Sequence, residues 1–144
     1  MRTLEEIRSA FSADRFATEA AEITIECAEI GHAVCHMPIL PKHLNARGTV
    51  MGGAIFTLAD FAAAVAANAH AENTNTISLH GDITFLNAAK GKLLIAVADV
   101  VKQGRTVALY DVTIRDELGT LVAKAGMNGF VLQSPFPKKN KNFA

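Results

Sequence analysis

Asp60 is the one formally charged residue in GTVMGGAIFTLADFAAAVAANAHA, the run from Gly48 to Ala71. A carboxylate set among apolar and small side chains is costly to bury unpaired. It must find donors or hold its proton more tightly, and both outcomes are common among catalytic acids and bases. At helical spacing its neighbours are Phe56, Thr57, Ala63 and Ala64, none of which can form an ion pair with it. A structural reading stays open beside the chemical one: a hydrogen-bonded buried acid, or an acid on a narrow polar strip. Gly52 and Gly53 stand eight and seven residues earlier. Two glycines at a helix start let a ligand approach closely and present free backbone N–H groups at the positive end of the dipole, a setting that suits a developing oxyanion. Close packing of backbone on backbone would use the same pair. Asn45, in the loop before them, reads by itself as a turn residue.

The elements that must position these groups follow from periodicity. TLEEIRSAF opens with Thr3 and Glu6 in capping-box spacing, and Leu4, Ile7 and Phe11 recur at helical intervals, which predicts a short N-terminal helix within residues 1–20. EITIECAEIGHAVCHMPI alternates on both sides of Gly31 and reads as a β-hairpin. Pro41 and Gly48 punctuate a loop, and the long helix is expected from Gly52 to about Ala69. Beyond Asn73 the pattern is all strand. TISLHGDITFL puts Ile77, Leu79, Ile83 and Phe85 on one face and Ser78, His80, Asp82 and Thr84 on the other, and three more β-rich segments follow. The tail from residue 134 to residue 144 holds prolines and lysines and is expected to be poorly ordered. The result is an α+β chain: one long apolar helix and five or six mostly antiparallel strands. A helix apolar on nearly every face is not satisfied by one side of one sheet, so the sheet curls around it, a second subunit covers the remainder, or both.

Composition narrows the classes. A chain of 144 residues, half of them hydrophobic, argues for one domain with a self-sufficient core. Basic and acidic residues balance at 14 each, so no overall electrostatic footprint favours nucleic acid or an acidic membrane surface. The N-terminal stretch carries Glu5, Glu6 and Asp14 and lacks the apolar core of a secretion signal, and the alanine-rich Gly48–Ala71 run reads as a buried helix rather than a membrane span. A cytoplasmic protein is expected. Cys27 and Cys35 lie equidistant from Gly31, where they can face each other across the hairpin as free thiols. His32 and His36 share a strand face about 13 Å apart, too far for one ion, so no metal site is expected.

HLNARGTVMGGAIFTLAD resembles the motif of the phenylacetate-pathway type (PaaI-like) acyl-CoA thioesterases of the hotdog superfamily: an Asn, then Gly-x-x-His-Gly-Gly, then Leu-x-Asp. The resemblance continues through ISLHGDITFLNAAKG and VVKQGRTVALYDVTIRDELGTLVAKA and spans residues 22 to 132. It implies a hotdog fold over residues 1–144 and hydrolysis of an acyl-CoA thioester to a carboxylic acid and CoA, with no further cofactor. Asp60 then stands where the family's acid activates water or attacks the thioester, Gly52 supplies the oxyanion-side N–H, and Asn45 orients the reacting groups. Gly53 belongs to the same motif, and Ser78 matches a polar residue near the attacking water. Lys102, Gly104, Arg105 and Thr106 correspond to a hairpin that holds CoA, while His80 and Phe85 match channel-lining positions. Without the resemblance Arg105 reads as a solvated turn residue. Met51 departs from the pattern, standing where the family has histidine.

Helix geometry adds an independent expectation. Eight residues at about 1.5 Å each put Asp60 roughly 12 Å along the axis from Gly52, too far to converge on one carbonyl. If both groups act, Asp60 of one chain meets Gly52 and Asn45 of another across a twofold axis, and the site exists only in a homodimer. A dimer of dimers stays open. So do a hotdog hydratase or dehydratase, which would need a second acid or base near Asp60, and a protein that binds or senses acyl-CoA without turnover, for which Met51 is the motive. A DNA-binding regulator would need a helix-turn-helix that residues 1–20 do not hold, and a purely structural dimer gives no reason for Asp60.

Overall fold

Seven alanines, one leucine and no proline make residues 52–68 a strong helix former, and they fold as the helix α2, Gly52–Asn68. The computed structural model describes residues 1–135. Before α2 come the helix α1, Leu4–Phe11, a π-helical turn, Phe16–Ala20, the strands β1, Thr24–Glu29, and β2, His32–Pro38, and a 3-10 turn, Pro41–His43. After it come β3, Asn75–Phe85, β4, Leu93–Gln103, β5, Val107–Asp116, and β6, Leu121–Leu132. The six strands form one sheet in the order β1-β2-β4-β5-β6-β3, with every neighbour antiparallel. The sheet wraps α2, whose Leu58, Ala59, Ala62 and Val65 are fully shielded from solvent. This is the hotdog arrangement expected from the sequence. The expectation for the tail falls, from residue 136 on, outside the described residues.

Thr3 caps α1 in the predicted capping box, accepting from the Glu6 N–H at 3.2 Å while Glu6 accepts from the Thr3 N–H at 2.8 Å. The Phe11 ring then meets Phe61 edge to face, with centroids 5.8 Å apart, which docks the N-terminal segment on α2. That segment holds more than one helix, because the π-helical turn Phe16–Ala20 follows the short α1. At the other end of α2, buried Asn68 clamps the start of β3: its Nδ2 donates to Thr76 O at 3.0 Å and its Oδ1 accepts from the Thr76 N–H at 2.8 Å.

Two bulges change what the alternation predicts. In β1 the register slips between Ile25 and Cys27, so Cys27 pairs with Val34 and Cys35 with Ile25. The cysteines are free, as expected, but they do not face each other. In β3 the register slips between Ser78 and His80. Side chains beyond the extra residue exchange faces, so Ser78 and His80 lie on opposite sides of the sheet. Ser78, Gly81, Ile83 and Phe85 therefore face α2, while His80, Asp82 and Thr84 face away.

Asp116 fixes the segment that leads from β3 to β4. Its Oδ2 accepts from the Lys90 and Gly91 N–H groups at 2.8 and 3.0 Å, and its Oδ1 from those of Leu118 and Thr120 at 3.0 and 2.9 Å. Burial alone would push this carboxyl up, but the backbone N–H groups of Lys90, Thr120 and Gly91 outweigh it and hold the pKa at about 2. A folded-state pKa below the unfolded one adds stability that is complete above about pH 4 and is lost between about pH 4 and 2. Asp116→Asn keeps one acceptor oxygen and leaves two N–H groups unpaired. Thermal melts of this variant should show a Tm lower by about 5 °C or more at pH 7 and a much smaller difference at pH 2. Equal deficits at both pH values would remove the carboxylate from the explanation.

Candidate active site

On α2 the positions Gly53, Thr57, Asp60, Ala64 and Ala67 recur at alternating intervals of four and three, and the sheet of the same chain leaves this stripe partly accessible. Asp60 is half-buried on it, and the Ser78 hydroxyl donates to its Oδ1 at 3.1 Å. The contact exists because the Asn68–Thr76 clamp seats β3 against the helix and because Ser78 precedes the bulge. Oδ2 of Asp60 has no hydrogen bond among the described residues.

A second cluster lies at the start of α2. Met51 occupies the N-cap position with no side-chain hydrogen bond, so the Gly52 and Gly53 N–H groups are first-turn donors without a partner inside the helix. Asn45 Oδ1 accepts from the Arg47 and Thr49 N–H groups at 2.9 and 3.2 Å, which shapes the loop and leaves its Nδ2 donors without an acceptor among the described residues. Asn45 and Gly52 line a cavity of about 330 Å³, walled also by Phe85, Asn87 and Ala89. The Phe85 ring stands 2.9 Å from where a Cβ on Gly52 would sit, so the close approach requires glycine there. Asp60 is absent from this wall. Within one chain it stays about 12 Å from Gly52 along the helix axis.

The hairpin Gln103–Thr106 is tied to the end of β6: the Val131 N–H donates to Thr106 O at 2.8 Å and Gln133 Nε2 to Arg105 O at 3.0 Å. Gly104 makes the tight turn, since a Cβ there would meet Val107 O at 2.6 Å. Lys102 and Arg105 are exposed, and neither makes an ion pair among the described residues. This cationic rim sits by the start of β3, because Asn75 pairs with Leu132, whereas Phe85 and the 330 Å³ cavity sit at its end. The eleven residues of β3 separate the two by about 33 Å.

The structure thus brings Ser78 to Asp60 and gathers Asn45, Gly52 and Phe85, while Lys102, Gly104, Arg105 and Thr106 form a third group. His80 joins none of them. It faces the other side of the sheet, with its Nε2 3.6 Å from Asp82 Oδ2. One acid near Asp60 escaped sequence reasoning. Partial desolvation and the negative charge of Asp60 push the Asp14 carboxyl above its ordinary range. The two are 46 positions apart, and the docking of the N-terminal segment on α2, seen in the Phe11–Phe61 contact, makes them neighbours. Among the described residues no three His, Cys, Asp or Glu side chains gather as a metal site, and no helix is long and apolar enough to cross a membrane.

Comparison with known proteins bears on this arrangement. The family described as the Thioesterase superfamily matches residues 47–123. Acyl-coenzyme A thioesterase 13 of Homo sapiens is 31% identical over 122 residues, covering 83% of this chain and 87% of that protein. The E. coli PaaI protein from the phenylacetic acid degradation operon superposes with a TM-score of 0.84 at 25% identity, covering 93% of this chain and 96% of that one. A hypothetical thioesterase of Streptococcus pneumoniae, solved with coenzyme A, superposes with a TM-score of 0.75 at 28% identity over 88% of this chain and 100% of that one.

Proposed function

The chain belongs to the thioesterase superfamily, and on that premise we propose that it hydrolyses acyl-CoA thioesters at sites built across a homodimer. The observation that carries this reading is the 3.1 Å Ser78–Asp60 hydrogen bond on the accessible stripe of α2. Ser78 holds one carboxylate oxygen and leaves the other to take a proton from water. The hydroxide formed adds to the thioester carbonyl carbon, and the Gly52 N–H with Asn45 Nδ2 receives the negative oxygen. Collapse of the adduct breaks the carbon–sulfur bond, and the CoA thiolate leaves with the proton that Asp60 took up. No cofactor is needed for these steps.

The same geometry supports the proposed assembly. β3 is an edge strand with exposed Ile77 and Leu79, and such an edge invites pairing. Two copies joined through β3 about a twofold axis run antiparallel, so the start of one β3 lies beside the end of the other. Asp60 and Ser78 of one chain then approach Gly52 and Asn45 of its partner, and the Lys102–Arg105 hairpin approaches the partner's cavity. In this arrangement Arg105 grips CoA phosphates through its bidentate fork, with Lys102 beside it.

A panel of acyl-CoAs read by free-thiol release tests the activity. Thioesters bound without turnover would replace the enzyme with an acyl-CoA sensor. On a substrate that turns over, Arg105→Ala should raise KM for the acyl-CoA by about 10-fold, the loss of one charge-assisted contact, and leave KM for the matching acyl-pantetheine, which lacks those phosphates, nearly unchanged. Equal losses on both substrates would give Arg105 a structural role instead.

A further inference from the structure

The first turns of α2 have a second hollow beside them, on the other side from Asn45. It measures about 460 Å³ and is walled by Phe16 and Ala20 of the π-helical turn and by Met51, Gly53, Ala54 and Thr57 of the helix start. Met51 and Gly53 are the chain neighbours of Gly52, so a thioester carbonyl held on the Gly52 N–H would place its acyl group at this wall. The side chains of Thr57, His43 and Lys42 at the hollow are already engaged, while the Gly53 N–H stays a first-turn donor at its wall. Thr57 Oγ1 donates to Gly53 O at 2.8 Å. His43 Nε2 bonds Ala21 O at 2.9 Å, and its Nδ1 accepts from the Leu40 N–H at 3.0 Å. Lys42 Nζ is paired with Glu22 Oε2 at 2.6 Å. Meanwhile two large apolar side chains stand open to solvent there, Phe16 at 69% and Met51 at 51% exposure. The 330 Å³ cavity contrasts with it, because Asn45, Thr49 and Asn87 give that wall amide and hydroxyl groups.

We propose that the apolar hollow holds the acyl group and that the preferred substrates are CoA thioesters of unsubstituted hydrocarbon acids. The amide-bearing arm of CoA then lies along the polar cavity. This rests on the thioesterase reading above and extends it to the substrate. A hydroxyl on the acyl group would give up its water to face the apolar side chains of Phe16, Ala20, Met51 and Ala54, which offer no donor in exchange. Size agrees: an apolar cavity of about 150 Å³ already holds benzene, so this one has room for an aryl group or a medium-length chain. Met51 gains a role in the same step, as an unbranched, polarizable wall in place of a hydrogen-bonding side chain.

The experiment compares acetyl-CoA, octanoyl-CoA and 3-hydroxyoctanoyl-CoA on the native protein and on two variants outside the proposed reaction centre. Ala20 is exposed on the π-helical turn, and Ala20→Phe puts a ring into the hollow; Phe16→Ala removes the aromatic wall. On the native protein, kcat/KM for octanoyl-CoA should exceed that for its 3-hydroxy analogue by about 10–100-fold, the range an apolar pocket can discriminate. Each variant should lower octanoyl-CoA turnover by about 10-fold or more and leave acetyl-CoA within about twofold. Equal rates on octanoyl-CoA and the hydroxy analogue, or parallel losses on acetyl-CoA and octanoyl-CoA in both variants, would overturn the acyl assignment while hydrolysis itself stands. Release of no thiol from any of the three would instead reject the thioesterase reading.

Discussion

Asp60→Asn should lower kcat for acyl-CoA hydrolysis by about 100-fold or more, the scale of losing a general acid–base group. The substitution is close to isosteric and keeps an oxygen for the Ser78 hydroxyl, whose 3.1 Å bond would persist. No ion pair is lost, because Asp60 makes none among the described residues. The amide also removes the Asp60 charge, which adds to desolvation in raising the Asp14 carboxyl. The fold and the proposed dimer should therefore survive, with Tm unchanged or slightly higher and the loss confined to turnover. A variant that turns over at near-native rate would remove Asp60 from the chemistry and return it to the structural reading. A variant that loses activity and Tm together would say that the carboxylate holds the fold. The test separates the two readings that the sequence leaves open for a single charge in an apolar helix.

The helix that carries this acid is legible in the amino-acid sequence, because sixteen of its seventeen residues lack charge and its composition favours no other element. The capping box at Thr3 and the hairpin about Gly31 are equally local, and both appear in the fold. Face assignment along β3 is another matter. A bulge inserts one residue without disturbing the apolar and polar pattern on either side, so the alternation that puts Ser78 and His80 together is correct within each half and wrong across Leu79. The same local slip near Glu26 separates Cys27 from Cys35. The π-helical turn over FATEA escapes for a related reason, since five residues without a clear period carry too little signal. Asp14 and the two hollows depend on how distant side chains meet in the folded chain, and periodicity does not report that. Ser78 became a candidate through family resemblance; the structure supplies a physical reason for it in the Asn68–Thr76 clamp.

Mixing two inactive proteins should restore activity. Asp60→Asn lacks the acid, and Asn45→Ala lacks an oxyanion-side donor whose loss is worth about 10²–10³ in kcat. If each site draws Asp60 from one chain and Gly52 with Asn45 from the other, a heterodimer of the two variants holds one site with both defects and one with neither. Random exchange makes half of the dimers heterodimers, so the mixture should recover about a quarter of native activity from parents near the floor. If each site were instead contained in one chain, every chain in the mixture would carry a defect and nothing would return. The second case conflicts with helix geometry, because eight residues of α2 hold Asp60 and Gly52 about 12 Å apart and no side-chain rotation closes that distance. Differently tagged chains that copurify establish that exchange has occurred. With exchange established, a mixture that stays at the level of its parents would dismantle the two-chain site and the β3-joined dimer that supports it. Recovery near a quarter would tie the apolar helix, its accessible stripe and the lone acid to one cause: α2 contributes to two half-sites, and only a second copy of the chain completes either.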